Sequence, residues 1–187
     1  MNRLIPRAAY SLLKNSLAEP YISVLLGPRQ TGKTTLVRML IDDLIAHGLE
    51  DRNIVSITFD DPEWRTAVAK HPDKFRRHLE QSYGQTLDTL SGKKYLFLDE
   101  VQKAPALFDI IKMLFDQHKA HLTICLTGSS SLQLYQKTAE TLSGRVRTYY
   151  LSGLTWGEIV AARGVAAPEI ISRLLHPDTS FTDLLQA

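Results

Sequence analysis

An apolar run, Tyr21-Ile22-Ser23-Val24-Leu25-Leu26, passes directly into Gly27-Pro28-Arg29-Gln30-Thr31-Gly32-Lys33-Thr34-Thr35, and no other stretch restricts the fold as much. A short apolar run bounded by glycine reads as a buried strand. The residues after it fit G-x-x-x-x-G-K-[ST], a phosphate-binding loop that acquires meaning only between a strand and a helix. Glycines at 27 and 32 let the backbone fold tightly enough for successive amide N–H groups to point inward at phosphate oxygens. The following helix adds its unpaired N-terminal donors and the positive end of its dipole. Lys33 would neutralise β- and γ-phosphates, and the Thr34 hydroxyl would ligate Mg²⁺, which takes a few hard oxygens beside phosphates and water. The bland alternative is a glycine turn that binds nothing, and the strand before it and the amphipathic stretch after it speak against that.

That stretch is Leu36, Val37, Leu40, Ile41, Leu44 and Ile45, one apolar stripe closed by Gly48, where a helix C-terminal glycine belongs. Residues Asn53 to Phe59 read as a second strand ending in Asp60-Asp61-Pro62-Glu63. Asp61 before Pro62 suits a helix N-cap, while Asp60, at a strand's C-terminal end, is placed to face a site. Glu63 to Leu90 divides into two helical pieces near Pro72. The cluster Lys74, Arg76, Arg77 and His78 is either a solvated helix face or a nucleic-acid contact.

Tyr95-Leu96-Phe97-Leu98-Asp99-Glu100 is the second informative stretch. Continuous rather than alternating apolar residues predict a central strand covered on both faces. Two carboxylates at its end are costly to leave near a buried edge without a partner. Mg²⁺ provides one: Asp99 would hold the ion through its water shell, and Glu100 would point away and polarise the attacking water. A helix follows with Leu107, Ile110, Ile111, Leu114 and Phe115, then a strand from His121 to Thr127 ending in Gly128-Ser129-Ser130-Ser131. Ser129 or Thr127 would sense a γ-phosphate there, or the hydroxyls simply cap the next helix. Arg145 to Leu151 reads as a fifth strand. Arg145 stands at its start, away from the ligand end, poorly placed for its own nucleotide and better placed for a neighbour's. At the other extremity, Leu4 to Leu17 has helical spacing and covers either the adenine side of a nucleotide or the sheet.

Composition excludes several classes. A net charge of +2 in 187 residues is too mild to diagnose nucleic-acid binding, and 44% hydrophobic with 22% charged content is ordinary for a globular chain. The single cysteine, Cys125, lies in an apolar strand, which excludes an internal disulfide framework and fits a reducing compartment. Six histidines form no ligand set with zinc spacing. No apolar segment reaches membrane-spanning length and the opening residues lack a secretory signal, so the expected location is the cytoplasm, with no membrane partner.

Taken in order, Gly27 to Thr35, Phe59-Asp60-Asp61-Pro62-Glu63, Leu98-Asp99-Glu100-Val101-Gln102, Leu126-Thr127-Gly128-Ser129-Ser130-Ser131 and Leu142-Ser143-Gly144-Arg145-Val146 resemble the AAA+ branch of P-loop ATPases. More narrowly, the set is similar to the N-terminal ATPase domain of a family of predicted bacterial and archaeal AAA+ ATPases. The resemblance implies an α/β three-layer P-loop NTPase sandwich with a parallel sheet in the order 5-1-4-3-2. It implies ATP and Mg²⁺ as cofactors, Walker A at residues 27–35, Walker B at Asp99 and Glu100, and sensor 1 at Ser129 or Thr127. It also implies Arg145 as an arginine finger acting in trans in a homo-oligomer.

The expected division is an ATPase core over 1–153 and, over 154–187, a partial helical lid or the start of a missing C-terminal region. The family's lid precedes a C-terminal domain of poorly defined role. Here the sequence ends within or just after the lid, with Arg163 and Arg173 the only candidates for sensor 2, so a missing C-terminal domain or a partner protein is expected. The expected activity is Mg²⁺-dependent ATP binding and hydrolysis. The alternatives are an ATP-gated interaction module with negligible turnover, an ATPase serving nucleic-acid processing, and a small-molecule kinase, against which the Asp99-Glu100 pair speaks.

Overall fold

In the computed structural model the described residues are 5, 7–129, 138 and 140–163. The chain divides into two units, residues 9–152 and residues 1–8 with 153–187.

The larger unit is built on five parallel strands: β1 (Ile22–Gly27), β2 (Ile54–Thr58), β3 (Lys94–Asp99), β4 (Leu122–Ser129) and β5 (Val146–Tyr150). Their order across the sheet is β2-β3-β4-β1-β5, which from the other edge is the expected 5-1-4-3-2. Because side chains alternate across a strand, each strand feeds two cores. Ile22, Val24 and Leu26 of β1 join Leu96 and Leu98 of β3 and Ile124 and Leu126 of β4 on one face. There they meet Phe75, Leu79 and Tyr83 of α4 (Pro72–Tyr83) and Leu107, Ile111 and Leu114 of α5 (Leu107–His118). On the other face Leu25, Phe97 and Cys125 pack against Leu13 of α1 (Ala8–Ser16) and Leu36, Val37 and Leu40 of α2 (Lys33–Ala46). Truncating any of these buried leucines to alanine costs about 2–5 kcal/mol.

Local chemistry sets the helix ends. Gly48 takes φ 91° after α2, and its N–H reaches Ile45 O at 2.9 Å while Leu49 N–H reaches Leu44 O at 3.1 Å. Asp61 caps α3 (Pro62–Lys70), its Oδ1 accepting the Glu63 N–H at 2.8 Å. The break before Pro72 falls where expected. The first helix, expected over most of the first nineteen residues, is described from Ala8 and stops at Ser16, where the Ser16 hydroxyl donates to Leu13 O at 2.7 Å and meets Ser23 Oγ of β1 at 2.7 Å. Ser130 and Ser131, two of the hydroxyl residues that could cap the next helix, lie outside the described residues.

In the second unit, α6 (Trp156–Arg163) starts with a capping box. Thr155 N–H donates to Glu158 Oε2 at 2.9 Å and Glu158 N–H to Thr155 Oγ1 at 3.3 Å. The other Glu158 oxygen accepts the Ala8 N–H at 3.0 Å and pairs with Arg7 at 3.1 Å. Burial alone would raise the Glu158 pKa, but these N–H donors and the guanidinium outweigh it and pull it down to about 2. Arg173 and the rest of 164–187 lie outside the described residues. Among the described residues no helix is long and apolar enough to cross a membrane.

Candidate functional site

At the C-terminal end of β1 the chain turns sharply before entering α2. Gln30 and Gly32 both take positive φ, 64° and 91°, and left-handed residues of this kind are what an anion-binding nest is built from. Gly27 is glycine for a second reason, invisible in the motif. A Cβ there would lie 2.2 Å from the carbonyl oxygen of Leu151, whose N–H bonds Leu26 O at 2.7 Å. Thr31 Oγ1 donates to Pro28 O at 2.9 Å and closes the loop on itself.

Lys33 opens α2 and folds back beneath this loop. Its Nζ donates to Gly27 O at 3.0 Å and Pro28 O at 2.9 Å, and the residue is only 5% exposed. Among the described residues no carboxylate pairs with it. An ammonium has three donors, and a buried cation held by carbonyls alone lacks the anion that would offset its desolvation. It lines a cleft of about 520 Å³ with Arg29, Gln30, Gly32, Thr34, Thr35, Asp60, Glu100 and Lys103.

Strand register brings the second half of the site beside the first. Asp99 has the parity of Phe97, so its side chain emerges on the α2 face, where Thr34 Oγ1 donates to its Oδ2 at 2.9 Å. Leu98 pairs with Leu126, which sets Thr127 next to Asp99, and the Thr127 hydroxyl donates to Asp99 Oδ1. Thr127, 1% exposed, also accepts the Glu100 N–H at 3.3 Å and so ties both carboxylate residues to β4. Ser129 sits at the strand's end, in register with Gly27. Alternation along β4 puts Thr123, Cys125, Thr127 and Ser129 on one face, and it is the register with β3 that sets Thr127, rather than Ser129, beside Asp99.

Glu100 itself adopts φ 58°, outside the usual range for a residue with a Cβ. Its carbonyl accepts the Lys103 N–H at 3.0 Å and its Oε2 accepts from Gln102 Nε2. Lys103 Nζ pairs with Asp60 at the end of β2, across the cleft mouth. Asp60 therefore faces the cleft, while Asp61 is the helix cap.

Arg145 is elsewhere. Its carbonyl accepts the Ile22 N–H at the start of β1, about five strand residues, or roughly 16 Å, from Gly27. Its guanidinium grips Asp116 of α5 through Nε at 2.7 Å and Nη2 at 3.0 Å, and Nη1 donates to Ser143 O at 3.0 Å. The Asp116 carboxylate is correspondingly held below its ordinary range. The basic cluster on α4 is also engaged: Arg76 pairs with Glu80 and Asp88, and His78 packs on Trp64 with ring centroids 4.6 Å apart. Cys125 is buried, which pushes its thiol up to about 12 and leaves it inert.

No group of three or more His, Cys, Asp or Glu arranged to hold a metal occurs among the described residues. What Thr34 Oγ1 and Asp99 offer is a small set of hard oxygens beside a phosphate-type loop. That suits Mg²⁺ arriving with phosphates, which keeps most of its waters.

A family model for the AAA domain matches residues 19–160. The chain belongs to this family. It is an AAA-type P-loop ATPase domain by family and fold. Uncharacterized proteins of Mycobacterium tuberculosis and Mycobacterium bovis are each 32% identical to it over 184 residues, 95% of this chain and 37% of theirs. A third, from Haemophilus influenzae, is 26% identical over 145 residues, 78% of this chain and 34% of its own. The chain thus spans only about a third of the length of these relatives.

Among solved structures, AMPPCP-bound DnaA from Aquifex aeolicus superposes with TM-score 0.54 at 17% identity, covering 96% of this chain and 58% of that one. The S. cerevisiae Hsp104-ADP complex gives TM-score 0.59 at 17% identity over 88% and 24%. These two establish the likeness of fold.

Proposed function

We propose that this AAA domain binds ATP with Mg²⁺ and hydrolyses it. The observation that carries the reading is Lys33: a buried ammonium beneath a loop with two positive-φ residues, held by two carbonyl partners and by no carboxylate among the described residues. A phosphate chain is the anion such a cradle takes. In this reading Lys33 leaves the loop carbonyls for the β- and γ-phosphates, while Thr34 and Asp99 hold Mg²⁺, which when bound neutralises charge on the phosphates. Glu100 accepts a proton from a water. The water oxygen bonds to the γ-phosphorus, the bond to the bridging oxygen breaks, and ADP and phosphate leave. Positioning and charge stabilisation, more than covalent chemistry, set the rate.

Arg145 completes the site of a neighbouring copy in a homo-oligomer. Leaving Asp116 to do so costs it a bidentate pair, so assembly and turnover are coupled. In this reading residues 1–153 are the core and 154–187 a partial lid or the start of a C-terminal region, and the chain works with a C-terminal domain or partner protein. The single buried cysteine suits a reducing compartment, and we place the protein in the cytoplasm.

One observation favours a second reading. Glu100 and Arg145 are both engaged by partners, Gln102 and Asp116, as they would be in an ATP-gated interaction module that turns over only when released. Steady-state ATPase assays with Mg²⁺ across protein concentration decide between the two. Hydrolysis predicts a per-subunit rate that rises with concentration, falls in Glu100→Gln, and falls by about a thousandfold in Arg145→Ala. Tight ATP binding with no turnover at any concentration refutes hydrolysis and leaves the gated module. Salt-dependent binding of DNA or RNA would add a nucleic-acid-processing role to either.

A further inference from the structure

The carboxylate at Glu100 sits on a backbone that resists it. A left-handed conformation at a residue with a Cβ persists only where its surroundings enforce it, and such outliers gather at functional sites. Three contacts enforce this one. Thr127 Oγ1 takes the N–H at 3.3 Å, Lys103 N–H takes the C=O at 3.0 Å, and Gln102 Nε2 takes Oε2 of the side chain. The first two fix the peptide. Among the described residues only Gln102 bonds the carboxylate and so fixes where it points.

Gln102 does this under an unfavourable arrangement. Its Oε1 is buried and has no hydrogen-bond partner among the described residues. An unpaired buried acceptor is destabilising, and turning the amide over would not help, because Oε1 would then face the Glu100 carboxylate. An apolar side chain of the same length would pack there without an orphaned atom. Among the described residues the single favourable polar contact of this carboxamide is the one to Glu100. With Oε2 committed, Oε1 of Glu100 is the oxygen left to meet a water in the cleft that Glu100 lines.

We infer that Gln102 is the positioning residue for Glu100: its amide donates to one carboxylate oxygen and so aims the other at the hydrolytic water. This rests on the proposed ATPase reading and names how that site is set. It also explains why Gln102 follows Glu100 by two residues. The 3₁₀ turn Val101–Lys103, with Glu100 as its N-cap, curls the chain back so that the amide reaches the carboxylate.

The test uses the full chain and four proteins: wild type, Glu100→Gln, Gln102→Met and the double variant. Each is measured for ATP turnover with Mg²⁺, for KM and for melting temperature. Met removes the donor and the orphaned acceptor together while keeping the length. The expected result is a kcat about tenfold lower in Gln102→Met, with KM for ATP within about twofold and a melting temperature at or above that of the wild type. In the Glu100→Gln background the second substitution should then lower kcat no further.

Stability and rate moving in opposite directions is what a merely structural glutamine would not produce. Should Gln102→Met fail to fold, Gln102→Asn keeps the carboxamide but shortens its reach, and the same loss of kcat is expected. Glu100-dependent turnover with a kcat unchanged by these substitutions overturns this inference alone. So does a further loss added on top of Glu100→Gln. A wild type without Glu100-dependent turnover overturns it together with the reading it rests on.

Discussion

Thr127→Val tests whether β4 holds the two carboxylate residues in place. The substitution keeps shape, so the packing of a side chain 1% exposed is preserved and only the hydroxyl is lost. Two bonds go with it: the charge-assisted one to Asp99 Oδ1 and the longer one from the Glu100 N–H at 3.3 Å. Bonds to charged groups contribute about 1.5–3 kcal/mol and an ordinary one about 0.5–1.5. Asp99 keeps its 2.9 Å bond from Thr34 and can regain water, which trims the sum to about 2 kcal/mol. For a chain of this size that lowers the melting temperature by about 4–8 °C. Thr127→Ser is the control, because it keeps the hydroxyl and loses one methyl, at about 1 kcal/mol. Urea and thermal unfolding of the three proteins should rank them wild type, Ser, Val. A valine variant as stable as the serine variant would refute the claim that the hydroxyl, rather than the methyl, does the tethering.

Other outcomes follow from single sites. Gly27→Ala places a Cβ against the Leu151 carbonyl, so it should destabilise the fold by about 1–3 kcal/mol and abolish ATP binding, checked by melting and calorimetric titration; a variant that binds normally contradicts the geometry. Cys125, its thiol pushed up to about 12 by burial, should resist a thiol reagent at pH 8 in the native protein and react promptly once unfolded; prompt native labelling would show the site is open. Glu158, pulled down from 4.5 to about 2, should stabilise its unit fully above pH about 4.5 and lose that contribution as pH falls through about 2. A carboxyl NMR titration with a midpoint near the ordinary value would exclude the Ala8, Arg7 and Thr155 contacts.

Much of the sheet could be read directly from the chain because its determinants are local. β1 and β3 are continuous apolar runs, Gly48 and Asp61 carry the chemistry of helix ends, and Pro72 breaks a helix wherever it stands. The strand order came from a family resemblance rather than from periodicity. What escaped were pairings between residues far apart in sequence. Nothing near Gly27 announces Leu151, and nothing near Arg145 announces Asp116, 29 residues earlier. Ser129 ends the strand, whereas Thr127 does the bonding because register sets it beside Asp99. Alternation puts both hydroxyls on one face of β4, and only the β3–β4 pairing separates them. Gln102 stands in one of the motifs that carry the resemblance but has no role assigned there, because its meaning depends on the left-handed turn at Glu100, which residue types do not reveal.

The proposed phosphate site consists of the loop at Gly27 to Thr35 and the buried Lys33. Titration calorimetry of ATP with Mg²⁺ into wild type and Lys33→Ala tests it most directly. The account predicts saturable one-site binding to the wild type and an affinity at least about a hundredfold weaker in the variant, since a desolvated charge-assisted contact is lost. Equal affinity in the two proteins would contradict it.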